Sequence, residues 1–482
     1  MPIEEKRDFN KLRRAASKAR WQERYRKYSW YATLGTAFFL ALAPKIATVF
    51  LLIGVVLTFI YKKKAADFNF RHLPLDVPVG LFVLISAASI LVSPDIGFSF
   101  YNWYNLVGVY VLTYFLVGQQ VRSADKFREI LLALGAAAVL VILYGLYQFM
   151  FGIDISAMKW VDGDAFPELR KRVFSTWENP NILAGYLDII ICLGFGMLVK
   201  AGSNPKRIAL GAFILLAAAC LGMTYARGAC LVIAVIFIIY GIIKDWRVLA
   251  GCIAIGAILL VADPVLYTRL TSVFTTVDTS AEMRLAFWES TIAMIQDHPF
   301  LGIGWGAYFM VYPEYDFYLQ GADVLIVHAH NLYLNYAAEI GIPGALSFMW
   351  FFFGTIYLAL RAKFLSPEIL PKEPHPFDLK DEVAADAELK SIVDSVAKDD
   401  EVSEISFNDD LRSWDDYRVF AGLGLGLGLA IISIALNGFT DDLLFNIPSS
   451  MLLWLMAALA AALWELEENK NQEKLNEEEG NE

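Results

Sequence analysis

Long apolar runs recur along most of this chain, separated by short charged segments, and this pattern constrains the fold more than any other feature. A helix rises about 1.5 Å per residue, so runs of this length can cross roughly 30 Å of hydrocarbon. Helices also satisfy their own backbone polar groups where no water reaches them. The 482 residues are 57% hydrophobic with a mean hydropathy of +0.48, above what a soluble chain of this size carries. The expected fold is an all-α polytopic membrane protein of about twelve transmembrane helices. Their expected places are 29–43, 45–61, 75–92, 100–118, 129–150, 181–199, 207–223, 229–243, 247–262, 341–360, 418–436 and 447–464. The first span follows a basic arm, and Pro44 directly after the small-residue stretch argues against cleavage, so it is read as uncleaved.

Lys and Arg in the flanks set the orientation. Residues 1–28 form a basic arm carrying Lys6, Arg7, Arg13, Arg14, Arg24 and Lys27 among others, and are expected to be cytoplasmic. Alternate loops then carry Lys62 to Lys64, Arg122 with Lys126, Lys200 with Lys206, Lys244 with Arg247, and Arg361 with Lys363. The alternation places both termini inside. Helices one to nine occupy 29–262, with an external loop at 151–180. A long external loop follows at 263–340, and helices ten to twelve occupy 341–464 around an acidic cytoplasmic insert at 363–417. Insert and tail (465–482) are acidic and polar, and the insert is expected to be largely disordered. The net charge of -11 resides mostly in these two segments and gives no reason to expect a nucleic-acid partner. Cys192, Cys220, Cys230 and Cys252 all fall in apolar runs and read as small core residues. Gly422, Gly424, Gly426 and Gly428 alternate with Leu, and on a helix they give two Gly-x-x-x-Gly pairs suited to close helix packing.

Three arginines fall on the side that positive charge avoids: Arg172 in KRVFSTWENPN, Arg227 in TYARGA and Arg284 in the long loop. A single arginine at a membrane edge commonly snorkels to headgroups. Three of them suit a phosphate or diphosphate, whose oxygens a planar guanidinium binds bidentately. Arg284 lies in an amphipathic segment opened by Thr279 and Glu282, a T-x-x-E capping box. Leu285, Trp288, Ile292 and Ile295 share one face, the pattern of an interfacial helix. Pro299 ends it, and Gly302, Gly304 and Gly306 shape the next turn.

His328 and His330 stand one residue apart in the same loop. Neither a third histidine nor a carboxylate stands at helical spacing from them, so no metal site is expected. An imidazole on this side suits a base that takes a proton from a sugar hydroxyl near neutral pH. Asn331, Tyr333 and Glu339 are second-rank candidates: Asn331 to orient His330 or bind sugar, Glu339 to pair with an external arginine or stand as a helix-terminal charge. Asp188 lies mid-span, where an ionisable group is costly, and Asp441 and Asp442 share the last external loop.

HNLYLNYAAEIGIPG, in which His330 and Asn331 lead across nine residues to Gly341 and Gly344, resembles the signature of O-antigen ligases and related lipid-linked polysaccharide polymerases. EMRLAFWESTIAMIQDHPFLGIGWGAYF, TYARGA and RVFSTWENPNILAGYL resemble further segments of that family, in order, over about 170–345. The resemblance implies a metal-independent, inverting glycosyltransferase of a bacterial cytoplasmic (inner) membrane, engaged in lipopolysaccharide or exopolysaccharide biosynthesis. Its donor would be a glycan on undecaprenyl diphosphate, and its acceptor a glycan, lipid or protein hydroxyl at the outer face. It casts His330 as the base and Arg172, Arg227 and Arg284 as the diphosphate-binding residues, and it calls for no cofactor. Membrane lipids would be the other partners.

The residues leave a second reading, a transporter of an anion such as bicarbonate or of the lipid-linked sugar, with the arginines as an entry site. Transporters often show internal repeats and polar sites near the midplane. No convincing repeat is visible here, and few ionisable residues fall mid-span. A scaffold role would give His330 and the arginines no reason to share a side.

Overall fold

A computed structural model describes residues 3–65, 68–152, 172–262, 267, 279–317, 326–361 and 402–479. All regular structure among them is helical. The first ten helices are α1 (Ile3–Phe39), α2 (Pro44–Ala65), α3 (Asp76–Ser89), α4 (Ile96–Trp103), α5 (Val111–Gln120), α6 (Ala124–Phe151), α7 (Pro180–Lys200), α8 (Asn204–Met223), α9 (Arg227–Ile243) and α10 (Trp246–Ala262). Four longer ones follow, besides a single turn at Tyr308–Val311: α11 (Thr279–Asp297), α12 (Leu332–Arg361), α13 (Val402–Asn437) and α14 (Ile447–Glu479). Seven of these, α2, α6, α7, α8, α12, α13 and α14, are long and apolar enough to cross a membrane by length and composition. Shorter apolar helices stand at Asp76–Val92, Arg227–Ile243 and Trp246–Ile258.

Burial separates centre from periphery. The apolar windows of α13, α14 and α7 are 89%, 83% and 78% buried, whereas those of α2 and α8 are 28% and 22% buried. Apolar helices that bury so little against protein, with Val49, Val56, Leu215 and Leu216 left exposed, have the surface that lipid covers. At the centre α7 meets α13 at backbone distance. A Cβ on Gly196 would stand 2.4 Å from both Gly422 O and Gly426 N. The Gly422/Gly426 pair therefore serves as the small-residue packing face expected of it.

Three segments differ from the sequence reading. The expected span 100–118 is not one helix: a π-turn at Tyr104–Gly108 separates α4 from α5. The amides of Asn102 and Asn105 bond back to the carbonyls of Phe98 and Tyr101, and the ring of Trp103 fills the space beside Gly108. Side-chain competition of this kind at a π-bulge re-registers a helix. The span expected from residue 341 starts at a kink at Gly341, with φ 73° and ψ 172°, but another helix from Leu332 leads directly into it, so α12 is two helices meeting at Gly341. The last part of the acidic insert is helical, because α13 starts at Val402. Helix elongation from a stable apolar span requires no new nucleus, and the same physics carries α14 on to Glu479 through a run of Glu, Lys and Gln. The rest of the insert, most of the 151–180 loop, and 263–266, 268–278 and 318–325 of the long loop lie outside the described residues.

Candidate functional site

Three sequence motifs carry strained turns. Among the described residues, four other than glycine hold a left-handed backbone, Ser175 (φ 49°), Glu178 (φ 59°), Tyr225 (φ 52°) and His330 (φ 49°). All lie in RVFSTWENPN, TYARGA or HAHN. Such backbone persists only where neighbours over-determine it, and it clusters at functional sites. The neighbours are visible. Gln148 Oε1 of α6 accepts from the backbone N–H groups of Phe174 and Ser175, and its amide donates to Ser175 O. Val173 N donates to Met223 O, tying the first turn to the second. Asn179 caps α7, with Pro180 at its first turn.

Arg172 joins the same two motifs. Its Nε donates to Thr224 O at 2.8 Å and its Nη2 to Asn181 Oδ1 at 2.7 Å, which fixes the plane of the guanidinium. Arg227 is the first residue of α9, and the next residue lies against the loop after α13: a Cβ on Gly228 would be 3.6 Å from Thr440 Oγ1. Arg284 sits one helical turn before Phe287 in α11, and the Phe287 ring stacks on His330 with centroids 5.9 Å apart. Residues three apart share a helix face. The outer stripe of α11 keeps Leu285 and Ile292 exposed, while Phe287, Thr291 and Met294 are buried.

His330 faces a carboxylate from far along the chain. Asp441 Oδ1 lies 3.4 Å from His330 Nδ1. The Nδ1 atom is buried, yet the side chain is 35% exposed, so its exposure lies away from Nδ1. Burial pushes the Asp441 carboxyl up, but its contact with His330 and the two imidazoles outweighs this and holds it below the ordinary carboxylate range. Asp442 N donates to the same oxygen at 2.9 Å. His328 completes the group. Its ring centroid is 4.2 Å from that of His330, and its Nδ1 accepts the His330 backbone N–H at 3.1 Å. Burial, then the neighbouring His330, pushes the His328 imidazole down to about 4, so it is neutral near pH 7. The side chains of His328, His330 and Asp441 each offer a ligand atom, and these atoms lie within 4.8 Å of one another. The carboxylate missing from local spacing is thus supplied by the fold.

The second-rank residues hold the frame. Asn331 Oδ1 accepts from Tyr333 N and Leu334 N, capping α12, and its amide donates to Phe439 O. Tyr333 Oη donates to Ala435 O. Glu339 is buried, and its Oε2 accepts the Gly306 N–H at 2.9 Å; among the described residues it has no arginine partner. Ile303 N and Gly304 N donate to Ala338 O and Glu339 O, carbonyls freed by the kink at Gly341. Gly302, Gly304 and Gly306 all have positive φ, as this clamp requires. Asp188 Oδ2 accepts from Asn437 Nδ2 inside the bundle. Asp442 Oδ1 accepts from Leu444 N, so it shapes the loop. Burial, with Asp441 beside it, pushes its carboxyl up to about 7 against that bond.

The apolar helices and the polar cluster at their ends define a multi-pass helical membrane protein with a His–Asp pair at one end of the bundle. Residues 212–349, from within α8 to within α12, match the O-antigen ligase family model, and this match supports the O-antigen ligase-like family for the chain. It contains Arg227, Arg284 and His330; Arg172 and Asp441 lie outside it. A search of curated proteins finds no match.

Proposed function

We propose that this chain is a membrane glycosyltransferase of the ligase or polymerase type, acting at the outer face of a bacterial cytoplasmic membrane. In this reading about twelve spans cross the membrane, both termini are cytoplasmic and the donor is a glycan on undecaprenyl diphosphate. The observation that carries the reading is the pair His330–Asp441, with the Phe287 ring one turn after Arg284 stacked on His330.

The roles follow from chemistry. The Asp441 carboxylate beside Nδ1 of His330 favours the tautomer that carries its proton there, which leaves Nε2 unprotonated. Nε2 takes the proton of the acceptor hydroxyl as its oxygen attacks the anomeric carbon. The bond from that carbon to the diphosphate breaks on the opposite face, so configuration inverts. The carrier leaves as its diphosphate, and the arginines meet the growing charge on its oxygens. Arg172, already oriented by Thr224 and Asn181, needs little reorganisation to do so. The exposed apolar stripe of α11 lies along the headgroup region and borders the path of the lipid tail. No step needs a metal or a protein nucleophile.

The test is glycan transfer in a null strain complemented with wild type, His330→Ala or Arg284→Ala at equal membrane levels, with lipid-linked glycan quantified on each face. Lost product with outward-facing lipid-linked glycan accumulating upholds the reading. Full product from His330→Ala removes the base. Accumulation on the cytoplasmic face favours a transporter of the lipid-linked sugar.

A further inference from the structure

We infer that His328, His330 and Asp441 form a binding site for a divalent transition-metal ion of the zinc class, and that occupancy of this site arrests glycan transfer. The second half rests on the role proposed above for His330; the first half does not.

The geometry points to the ion. The three ligand atoms lie within 4.8 Å of one another, before any movement toward a shared centre. His330 Nδ1 and Asp441 Oδ1 are 3.4 Å apart, and Nδ1 is buried with no hydrogen-bond partner among the described residues. Two ligands about 2.0–2.1 Å from a tetrahedral ion stand roughly 3.3 Å apart. The gap is therefore the edge of a zinc tetrahedron and too poorly aligned for a hydrogen bond, and an ion would satisfy the orphaned nitrogen. Two imidazoles and one carboxylate form a donor set for zinc-like ions, whereas magnesium and calcium take oxygen ligands. Three protein ligands leave a fourth position for water.

The surroundings also fit. Asp442 N donates to Asp441 Oδ1, which orients the carboxylate from outside. The His330 N–H occupies His328 Nδ1. Binding through that nitrogen requires a small rotation that releases the amide, and binding through Nε2 leaves the bond in place. Phe445, 5.1 Å from His328 between ring centroids, packs beside the pair.

The consequence for chemistry is a change of tautomer. An ion on His330 Nδ1 displaces the proton there. The neutral ring then carries its single proton on Nε2 instead, moved there through solvent, so Nε2 becomes a donor and can no longer take a proton from a hydroxyl. Zinc thus closes the site without touching the arginines.

The experiment uses the full chain in detergent without a polyhistidine tag. Co2+ is titrated as a visible-absorption probe, Zn2+ is used to displace it, and transfer is assayed with and without Zn2+. His328→Gln and Asp441→Asn are compared, each against its own basal transfer. The expected result is one equivalent of Co2+ with the absorption of a tetrahedral ion, displaced by Zn2+ and lost in both variants. Zn2+ should also lower wild-type transfer by roughly 10²-fold or more, the scale of losing a general base. His328→Gln keeps His330 and Asp441 in place, so its residual transfer should resist Zn2+. Absence of the band in wild type, or an unchanged band in both variants, overturns the site. A lost band in the variants with wild-type transfer indifferent to Zn2+ upholds the site, but overturns the arrest and with it the role of His330 as base.

Discussion

Asp441 Oδ1 lies 3.4 Å from the buried Nδ1 of His330, whose side chain is 35% exposed elsewhere. A carboxylate there selects the tautomer that leaves Nε2 as the proton acceptor and stabilises the imidazolium that forms. Asp441→Asn should therefore lower transfer on the order of 10²–10⁴-fold with the protein still present in the membrane. Transfer by purified protein at matched levels is the measurement. Near wild-type turnover would detach Asp441 from the chemistry and leave it as a loop residue.

Gly341 is a backbone requirement. Its φ of 73° and ψ of 172° lie where essentially only glycine is found, and a Cβ there would stand 2.2 Å from Phe300 O. Ile342 N donates to Pro299 O, so the kink also holds the glycine turn in place. Gly341→Ala should cost about 1–3 kcal/mol from backbone strain alone, and more from the clash. A thermal midpoint in detergent unchanged from wild type would show that the kink relaxes freely.

The α7–α13 contact makes a prediction away from the site. With Gly422 O and Gly426 N each 2.4 Å from a Cβ on Gly196, Gly196→Val has no flexible side chain to push aside. Overpacking of this kind typically costs 1–3 kcal/mol, and backbone on the far side raises it. The contact also sets Asp188 against Asn437, one turn below Asp441. Loss of folded protein on size-exclusion chromatography is expected for Gly196→Val. A monodisperse, heat-stable variant would argue that the two helices separate without consequence.

What the sequence made legible was whatever is local. Length and apolarity marked the helices, and the motif around His330 marked a polar cluster, because each signal lies within a turn or two of chain. Asp441 was not legible as a partner of His330. The insert separates them, and two acids in a short loop carry no sign of which one turns inward. Glu339 looked available to an arginine, but the fold commits it to Gly306 N–H through a turn whose path depends on three left-handed glycines. The strain at Ser175, Tyr225 and His330 was invisible for a related reason: no glycine or asparagine at those positions announces it, and tertiary bonds such as those of Gln148 impose it. The break between α4 and α5 depends on asparagine side chains bonding backward, which periodicity does not register.

Arg172 separates charge from shape. Its Nε and Nη2 reach Thr224 O and Asn181 Oδ1 together, so the guanidinium bridges the two motifs as a rigid plane. Lysine keeps the charge but is a point donor on a flexible stem and cannot hold both partners in one plane. If this plane presents its remaining edge to the donor diphosphate, Arg172→Lys should lose most of the transfer rate, on the order of 10-fold or more, though the local charge is unchanged. Asn181→Ala, which leaves Arg172 in place but removes one of its anchors, should lose less and mainly in kcat, because the fork is still present but less well oriented. Steady-state kinetics with a lipid-linked donor, at matched protein, distinguish the cases. Equal kcat/KM for wild type and Arg172→Lys would mean that positive charge alone suffices at this position, and the bidentate role would fall. A loss in Arg172→Lys matched by an equal fall in thermal midpoint would instead assign the residue to the joint between the turns.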